Sequence, residues 1–169
     1  FIDDINQYNN LSAAIKKISP DIVINCIGVI KQRHDIENIL NMIKINSLLP
    51  HILNDICHKN NIKLIHLSTD CVFSGNKGNY KESDNPDPTD KYGESKLLGE
   101  INEGTSLTLR TSFIGPELFN KKSLFEWIKS QKNTEIDGFE NAIYSGLTTL
   151  TFAQVIENII DKYLYLSGV

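Results

Sequence analysis

The chain has 169 residues, enough for one domain with a real core and too few for two full ones. Lys and Arg total 17 against 21 Asp and Glu, a net charge of -4 that argues against partners such as nucleic acid or an acidic membrane, which want a basic surface. With 40% hydrophobic and 22% charged residues the composition is that of a soluble globular protein, and no apolar run approaches the roughly 20 residues needed to span a bilayer. Phe1-Ile2-Asp3-Asp4 has neither a basic nor an apolar region of the kind a signal peptide carries. Cys26, Cys57 and Cys71 are odd in number and widely spaced, which predicts reduced thiols and a cytoplasmic setting.

Leu11, Ala14, Ile15 and Ile18 recur at helical spacing, so residues 11–18 are expected to form a helix. After Pro20 the nearly continuous apolar run at 21–27 reads as a buried strand. Residues 35–58 are long and periodic, with Asp35 able to cap the start and Pro50 expected to kink or divide the helix. A second buried strand covers 62–68 and runs into the polar Ser68-Thr69-Asp70. Residues 73–91 then form a loop rich in Gly, Asn, Asp and Pro, a length that marks a functional or disordered segment. Helical pattern resumes over 92–102, and a third strand follows over 107–111. Beyond Pro116, residues 123–131 read as helix, 135–139 are ambiguous, and 151–166 form a strongly apolar last helix. This alternation predicts an α/β fold with a parallel sheet covered on both faces, whose ligands bind at the carboxyl ends of the strands.

Three strand ends carry polar residues directly after an apolar run: Asn25 to Gly28, Ser68-Thr69-Asp70 and Arg110-Thr111-Ser112. Turn formation and helix capping explain any one of these better than all three together. Tyr92 and Lys96 lie four apart at a helix start and therefore share a face. A phenol is a poor acid or base near pH 7, and a neighbouring ammonium brings its pKa toward the working range. A hydroxyl from Ser68 or Thr69 could then hold a carbonyl oxygen beside that phenol. His34, His51, His58 and His66 lack metal-ligand spacing, and His66, inside an apolar strand, reads as a satisfied core histidine. Cys71 has no paired His that would make it a nucleophile.

Ser68-Thr69-Asp70-Cys71-Val72-Phe73-Ser74-Gly75, then Glu82 and Pro88, then Tyr92-Gly93-Glu94-Ser95-Lys96-Leu97-Leu98-Gly99-Glu100 closely resemble the extended short-chain dehydrogenases/reductases. Within them the chain is most similar to the dTDP-4-dehydrorhamnose reductase group, which acts on nucleotide-linked 4-keto sugars. Val23 to Gly28 resembles the strand-end element that supports the cofactor, with Cys26 and Ile27 in place of small alanines. Asn46 to Pro50 resembles a helix whose Asn shapes the site behind the catalytic Lys, and Arg110 to Pro116 the strand and loop beside the nicotinamide. The resemblance implies a Rossmann-like, doubly wound parallel sheet, with residues 1–116 as part of a dinucleotide-binding domain and 117–169 as the start of a substrate lobe. It implies Thr69, Tyr92 and Lys96 as catalytic residues, with Thr69 and Asp70 against the sugar. Asn25, Cys26, Ile27, Gly28, Tyr92, Lys96, Ser112 and Asp3 would bind NADP or NAD. The implied reaction is reduction of a nucleotide-linked 4-keto-6-deoxy sugar, in the synthesis of a cell-surface polysaccharide precursor.

No glycine-rich G-x-G-x-x-G turn occurs in the sequence. By the family pattern the chain starts where a third strand would end, so the sheet is expected to be incomplete at the N-terminus, and the piece inactive by itself. An exposed edge beside residues 22–27 would favour aggregation or a homo-oligomer. Two other readings stand beside the reductase: a truncated, non-catalytic paralogue serving as a binding or regulatory subunit, and a sugar-nucleotide epimerase or dehydratase of the same superfamily.

Overall fold

The structure is a computed structural model, and it describes residues 8–30, 36–119, 121 and 123–169. Asp3, Asp4, His34 and the expected cap Asp35 lie outside the described residues. The chain divides into two units, one of the described residues through Arg110 with Tyr165–Val169, the other Thr111–Leu164.

In the first unit, α1 (Tyr8–Ile18) leads to β1 (Ile22–Asn25), and α2 (Ile36–Met42), a π-helical turn (Ile43–Leu48) and α3 (Leu49–Lys59) lead to β2 (Lys63–Leu67). A 3₁₀ turn (Asp70–Val72), α4 (Lys91–Leu97) and β3 (Leu107–Leu109) follow. The three strands pair in parallel in the order β1-β2-β3, with Asn25 opposite His66 and His66 opposite Thr108. Ile15 of α1, Ile45, and Leu49, Leu53, Ile56 and Cys57 of α3 pack with Leu64 and Val23 into one apolar core. Side chains alternate along a strand. Asn25, His66 and Thr108 therefore continue the Val23 and Leu64 face toward the carboxyl ends of the strands.

The expected division at Pro50 is present, as α2, the π-helical turn and α3 follow one another from Ile36 to Lys59. Pro50 sits at the start of α3 and has no N–H to give the Asn46 carbonyl four residues back. The backbone bond instead runs from Leu49 N–H to the Lys44 carbonyl, five residues back, which widens the turn around Asn46. α4 ends at Leu97 rather than at 102, because Gly99 passes too close to the Asn46 carbonyl for a helix face bearing side chains.

The last helix also stops short of 166. Gly168 forms a parallel bridge to Leu107, with Thr108 N–H on the Gly168 carbonyl at 2.7 Å and Gly168 N–H on the Ser106 carbonyl at 2.9 Å. Lys63 Nζ anchors this tail through the Leu166 and Thr105 carbonyls.

The second unit contains β4 (Phe113–Ile114), α5 (Leu124–Ser130), β5 (Leu147–Thr148) and α6 (Thr149–Lys162). β4 and β5 pair in parallel, and the Phe113 and Phe152 rings stack at 5.5 Å. Residues 135–139 adopt no regular structure. Thr148 caps α6 by accepting the Thr151 N–H at 3.0 Å. Among the described residues no helix is long and apolar enough to cross a membrane.

Candidate active site

β2 delivers Ser68 and Thr69, both buried, beyond its last paired residue. Thr69 caps the 3₁₀ turn, its Oγ1 accepting the Cys71 N–H at 3.2 Å and donating to Asp70 Oδ1 at 3.2 Å. Asp70 itself is exposed. Ser68 points elsewhere: its hydroxyl donates to the buried Glu100 carboxylate at 2.7 Å. Of the two hydroxyls expected to hold a carbonyl, Ser68 is committed to the interior, and Thr69 stays at the turn.

The 73–90 loop that separates this turn from α4 is ordered by its own contacts. Phe73 and Tyr80 stack at 4.4 Å, and Asp87 accepts both the N–H and the hydroxyl of Ser74 at 2.8 and 2.6 Å. Lys77 pairs with Asp84 at 2.5 Å, and the Asp87 N–H returns to the Val72 carbonyl at 3.0 Å. These Ser74 bonds hold the Asp87 carboxyl below its usual range, and the Lys77 bond does the same for Asp84. Both ends of the loop are thereby brought beside the Thr69 turn.

Asp90 caps α4 by accepting the Gly93 N–H at 2.8 Å. A Cβ on Gly93 would lie 2.3 Å from the Cys71 carbonyl oxygen, so only glycine lets the helix start lie against the turn that follows Thr69. Tyr92 is half-buried and Lys96 only 4% exposed. Lys96 Nζ donates to the Leu67 carbonyl at 2.5 Å, and burial pulls its pKa down to about 8 against the opposing field of Glu100.

Behind α4, Asn46 joins three segments. Its Oδ1 accepts the Val29 N–H at 2.8 Å, and its Nδ2 donates to the Val29 carbonyl at 2.9 Å and to Ser95 Oγ at 3.0 Å. Ser95 Oγ donates in turn to the Tyr92 carbonyl at 2.8 Å. The turn after β1 is held from its other side by Asn25, whose Oδ1 accepts the Ile27 N–H at 3.1 Å and whose Nδ2 meets His66 Nδ1 at 3.1 Å. Cys26, Ile27 and Gly28 are exposed, which leaves this turn approachable from outside.

His66 is buried as expected, yet only half satisfied, because its Nε2 has no partner among the described residues. Burial, with the charges of Lys96 and His51, pushes its pKa down to about 3, so the ring is neutral and accepts from Asn25 through Nδ1.

Asn25 to Gly28, Thr69, Asp70, Tyr92 and Lys96 thus all lie in the first unit. Ser112 lies in the second, its hydroxyl donating to Tyr144 Oη at 3.2 Å. Glu100 and Arg110, both within the motifs that carry the resemblance, form a buried pair that the sequence reading did not foresee. The signal was present, since an acid and a base set in apolar surroundings imply a buried pair. Among the described residues no group of three His, Cys, Asp or Glu side chains could hold a metal ion.

Residues 2–121 match the RmlD substrate binding domain family. The chain belongs to that family. It is 34% identical over 117 residues to a probable low-salt glycan biosynthesis reductase of Haloferax volcanii, covering 66% of this chain and 39% of that protein. It is 28% identical over 167 residues to a dTDP-4-dehydrorhamnose reductase of Aggregatibacter actinomycetemcomitans, covering 93% of this chain and 56% of that protein. The family member thus spans well under two thirds of either relative's length. Among solved structures, the dTDP-4-dehydrorhamnose reductase of Bacillus anthracis in complex with NADP superposes with a TM-score of 0.80 at 26% identity. That match covers 98% of this chain and 62% of the solved one, and the Rossmann-like expectation for the fold holds.

Proposed function

We propose that the protein is an NAD(P)H-dependent reductase of a nucleotide-linked 4-keto-6-deoxy sugar, in a soluble, cytoplasmic route to a cell-surface polysaccharide precursor. The observation that carries this reading is the placement of Tyr92 and Lys96 one turn apart on α4, docked through Gly93 on the turn that follows Thr69. The fit to a dinucleotide rests on Lys96. An ammonium has three donors, and the Leu67 carbonyl takes one at 2.5 Å, leaving a buried cation suited to the hydroxyls of a ribose. Asn25 to Gly28 would lie along the cofactor, with Ser112 and Asp3 as further contacts. NADP in the Bacillus anthracis reductase and the dTDP-sugar activity named for two of the relatives support the choice of ligands.

When bound, NAD(P)H supplies the hydride that reduces C4 of the sugar. Thr69 orients the substrate carbonyl, and Asp70 holds the sugar. Tyr92 gives its phenolic proton to the oxygen as negative charge develops there. The Lys96 ammonium stabilises the tyrosinate that remains. Residues 117–169 begin the lobe that selects the sugar nucleotide.

The test is NADPH oxidation on a dTDP-4-keto-6-deoxy sugar, followed by absorbance, by a chain that joins these residues to a complete dinucleotide-binding domain. Turnover is expected, with Tyr92→Phe slower by about 10²- to 10⁴-fold while NADPH binding persists. Undiminished turnover in Tyr92→Phe would remove the tyrosine from the mechanism. An absence of any keto-sugar reduction would sink the reading itself.

A further inference from the structure

Glu100 and Arg110 form a buried ion pair to which the proposed chemistry gives no task. Their side chains are 1% and 13% exposed, and burying two charges costs desolvation that a surface pair avoids. The pair is bidentate: Arg110 Nε donates to Glu100 Oε1 at 2.9 Å and Nη2 to Oε2 at 2.8 Å. Glu100 Oε1 also accepts from Ser68 Oγ at 2.7 Å. Lys96, four residues earlier, donates to the carbonyl of Leu67 at 2.5 Å. Two consecutive residues at one strand end are therefore gripped by a cation from the last turn of α4 and an anion three residues beyond that helix. Thr69 is the next residue along that strand end, and Tyr92 lies one turn before Lys96. Arg110 extends the link to the long loop, with Nη1 on the Glu82 carbonyl at 3.3 Å and its guanidinium 5.1 Å from the centre of the Phe73 ring.

We infer that Glu100 is a positioning residue that acts through Lys96: its carboxylate, oriented by Arg110, supplies the counter-charge that keeps the buried ammonium protonated, and its bond to Ser68 fixes the register in which α4 presents Tyr92 to Thr69. The inference rests on the reductase reading and adds to it a residue outside the catalytic trio. The surroundings of Lys96 leave this task to Glu100. β2 contributes His66, which is neutral, and the π-helical turn contributes the uncharged Asn46 and Ser47. His51 of α3 bonds the Leu98 carbonyl, and Arg110 beyond β3 is a cation. α4 itself adds the phenol of Tyr92 and the exposed Lys91–Glu94 pair at its start, and the 3₁₀ turn packed against it carries Asp70, which is exposed where Glu100 is buried. Burial lowers the Lys96 pKa, and Glu100 is the group whose field opposes that shift.

The test follows the titration of Lys96 by NMR of isotopically labelled lysine, its signal assigned by its loss in Lys96→Arg. Glu100→Gln keeps an acceptor for Ser68 and removes the charge, so the Lys96 midpoint should fall. Arg110→Gln removes a competing cation and leaves Glu100 charged, so the midpoint should rise. A purely structural pair predicts no shift, or shifts of one sign in both variants, and either result overturns the inference. Should one variant fail to fold, the other decides by its own sign. The alkaline limb of the NADPH-dependent pH profile should move with the midpoint in each variant. If the wild-type protein reduces no keto sugar, the reductase reading falls, and the lysine midpoints still judge the tie between Glu100 and Lys96.

Discussion

At the scale of single residues, the site is governed by two buried bases that resist protonation. Burial brings Lys96 down to about 8 from an ordinary value of 10.5, so its ammonium is lost as the pH rises through about 8. On the proposed mechanism the tyrosinate formed at Tyr92 would then lack its counter-ion, and keto-sugar reduction should decline above that pH. A rate that stays flat to pH 10 would detach Lys96 from the chemistry. The effect on stability has its own sign. Between about 8 and 10.5 the unfolded chain holds a proton that the folded chain has released, so folding is penalised below that window and relieved through it. His66 acts at the acid end, where burial sets its pKa to about 3 against 6.5 for an ordinary imidazole. Its neutral ring contributes full stability above pH 6.5. Below it the unfolded chain takes up the proton first, removing up to about 1.4 kcal/mol per pH unit until about pH 3. His66→Gln, which keeps an acceptor for Asn25, should flatten that acid slope in urea titrations. An equal slope in both proteins would clear His66 of the acid sensitivity.

At the scale of elements, the placement of α4 decides the geometry of the site. A Cβ at Gly99 would stand 1.9 Å from the Asn46 carbonyl oxygen, and one at Gly93 would stand 2.3 Å from that of Cys71. Both obstacles are backbone, which yields less readily than a side chain. Gly93→Ala and Gly99→Ala should each cost about 1–3 kcal/mol in urea melts. Each should also lower turnover beyond the loss of folded protein, because α4 is lifted from the Thr69 turn or from Asn46. Gly138→Ala, with nothing within 4 Å, is the control and should be near neutral. If the three variants melt alike, the glycines do not set the helix position.

Much of this arrangement was legible beforehand at the same scale. Apolar runs marked β1, β2 and β3, and the i, i+4 spacing put Tyr92 and Lys96 on one face. The π-helical turn was not legible, because Pro50 signals a broken ladder without saying whether the helix kinks or widens. Nor was the early end of α4, since Gly99 looks like ordinary punctuation until the Asn46 carbonyl lies against it. By spacing alone Ser68 and Thr69 were indistinguishable as hydroxyls at a strand end; the resemblance singled out Thr69, and the bond to the buried Glu100 carboxylate is what occupies Ser68. The tail pairing of Gly168 with Leu107 was hidden for a simpler reason, as two-residue contacts across long sequence distance leave no period to read.

At the scale of the molecule, the two units differ in how much apolar surface they bury. Among the described residues the first unit encloses Leu49, Cys57, Leu64, Ile65 and Val72 completely, with further aliphatic residues below 10% exposure. In Thr111–Leu164 the buried apolar side chains are Phe152 and Ile159, at 9% and 8%, while Leu118, Phe139 and Ile143 are 89%, 86% and 95% exposed. Burial at about 25 cal/mol per Å² is the main favourable term in folding, so the second unit has far less with which to offset its chain entropy. It should open at lower free energy than the first. Native-state hydrogen exchange should show early exchange in α5 and at β4 and β5, with α3 and β2 protected up to global unfolding. Limited proteolysis should likewise cut within 111–164 first. Uniform protection across both units would mean that the second unit gains its stability from contacts other than its own core. The proposed function bears on this order, because residues 111–164 hold most of the lobe proposed to select the sugar nucleotide. Binding of that ligand should then raise protection in 111–164 more than in β2 and α3.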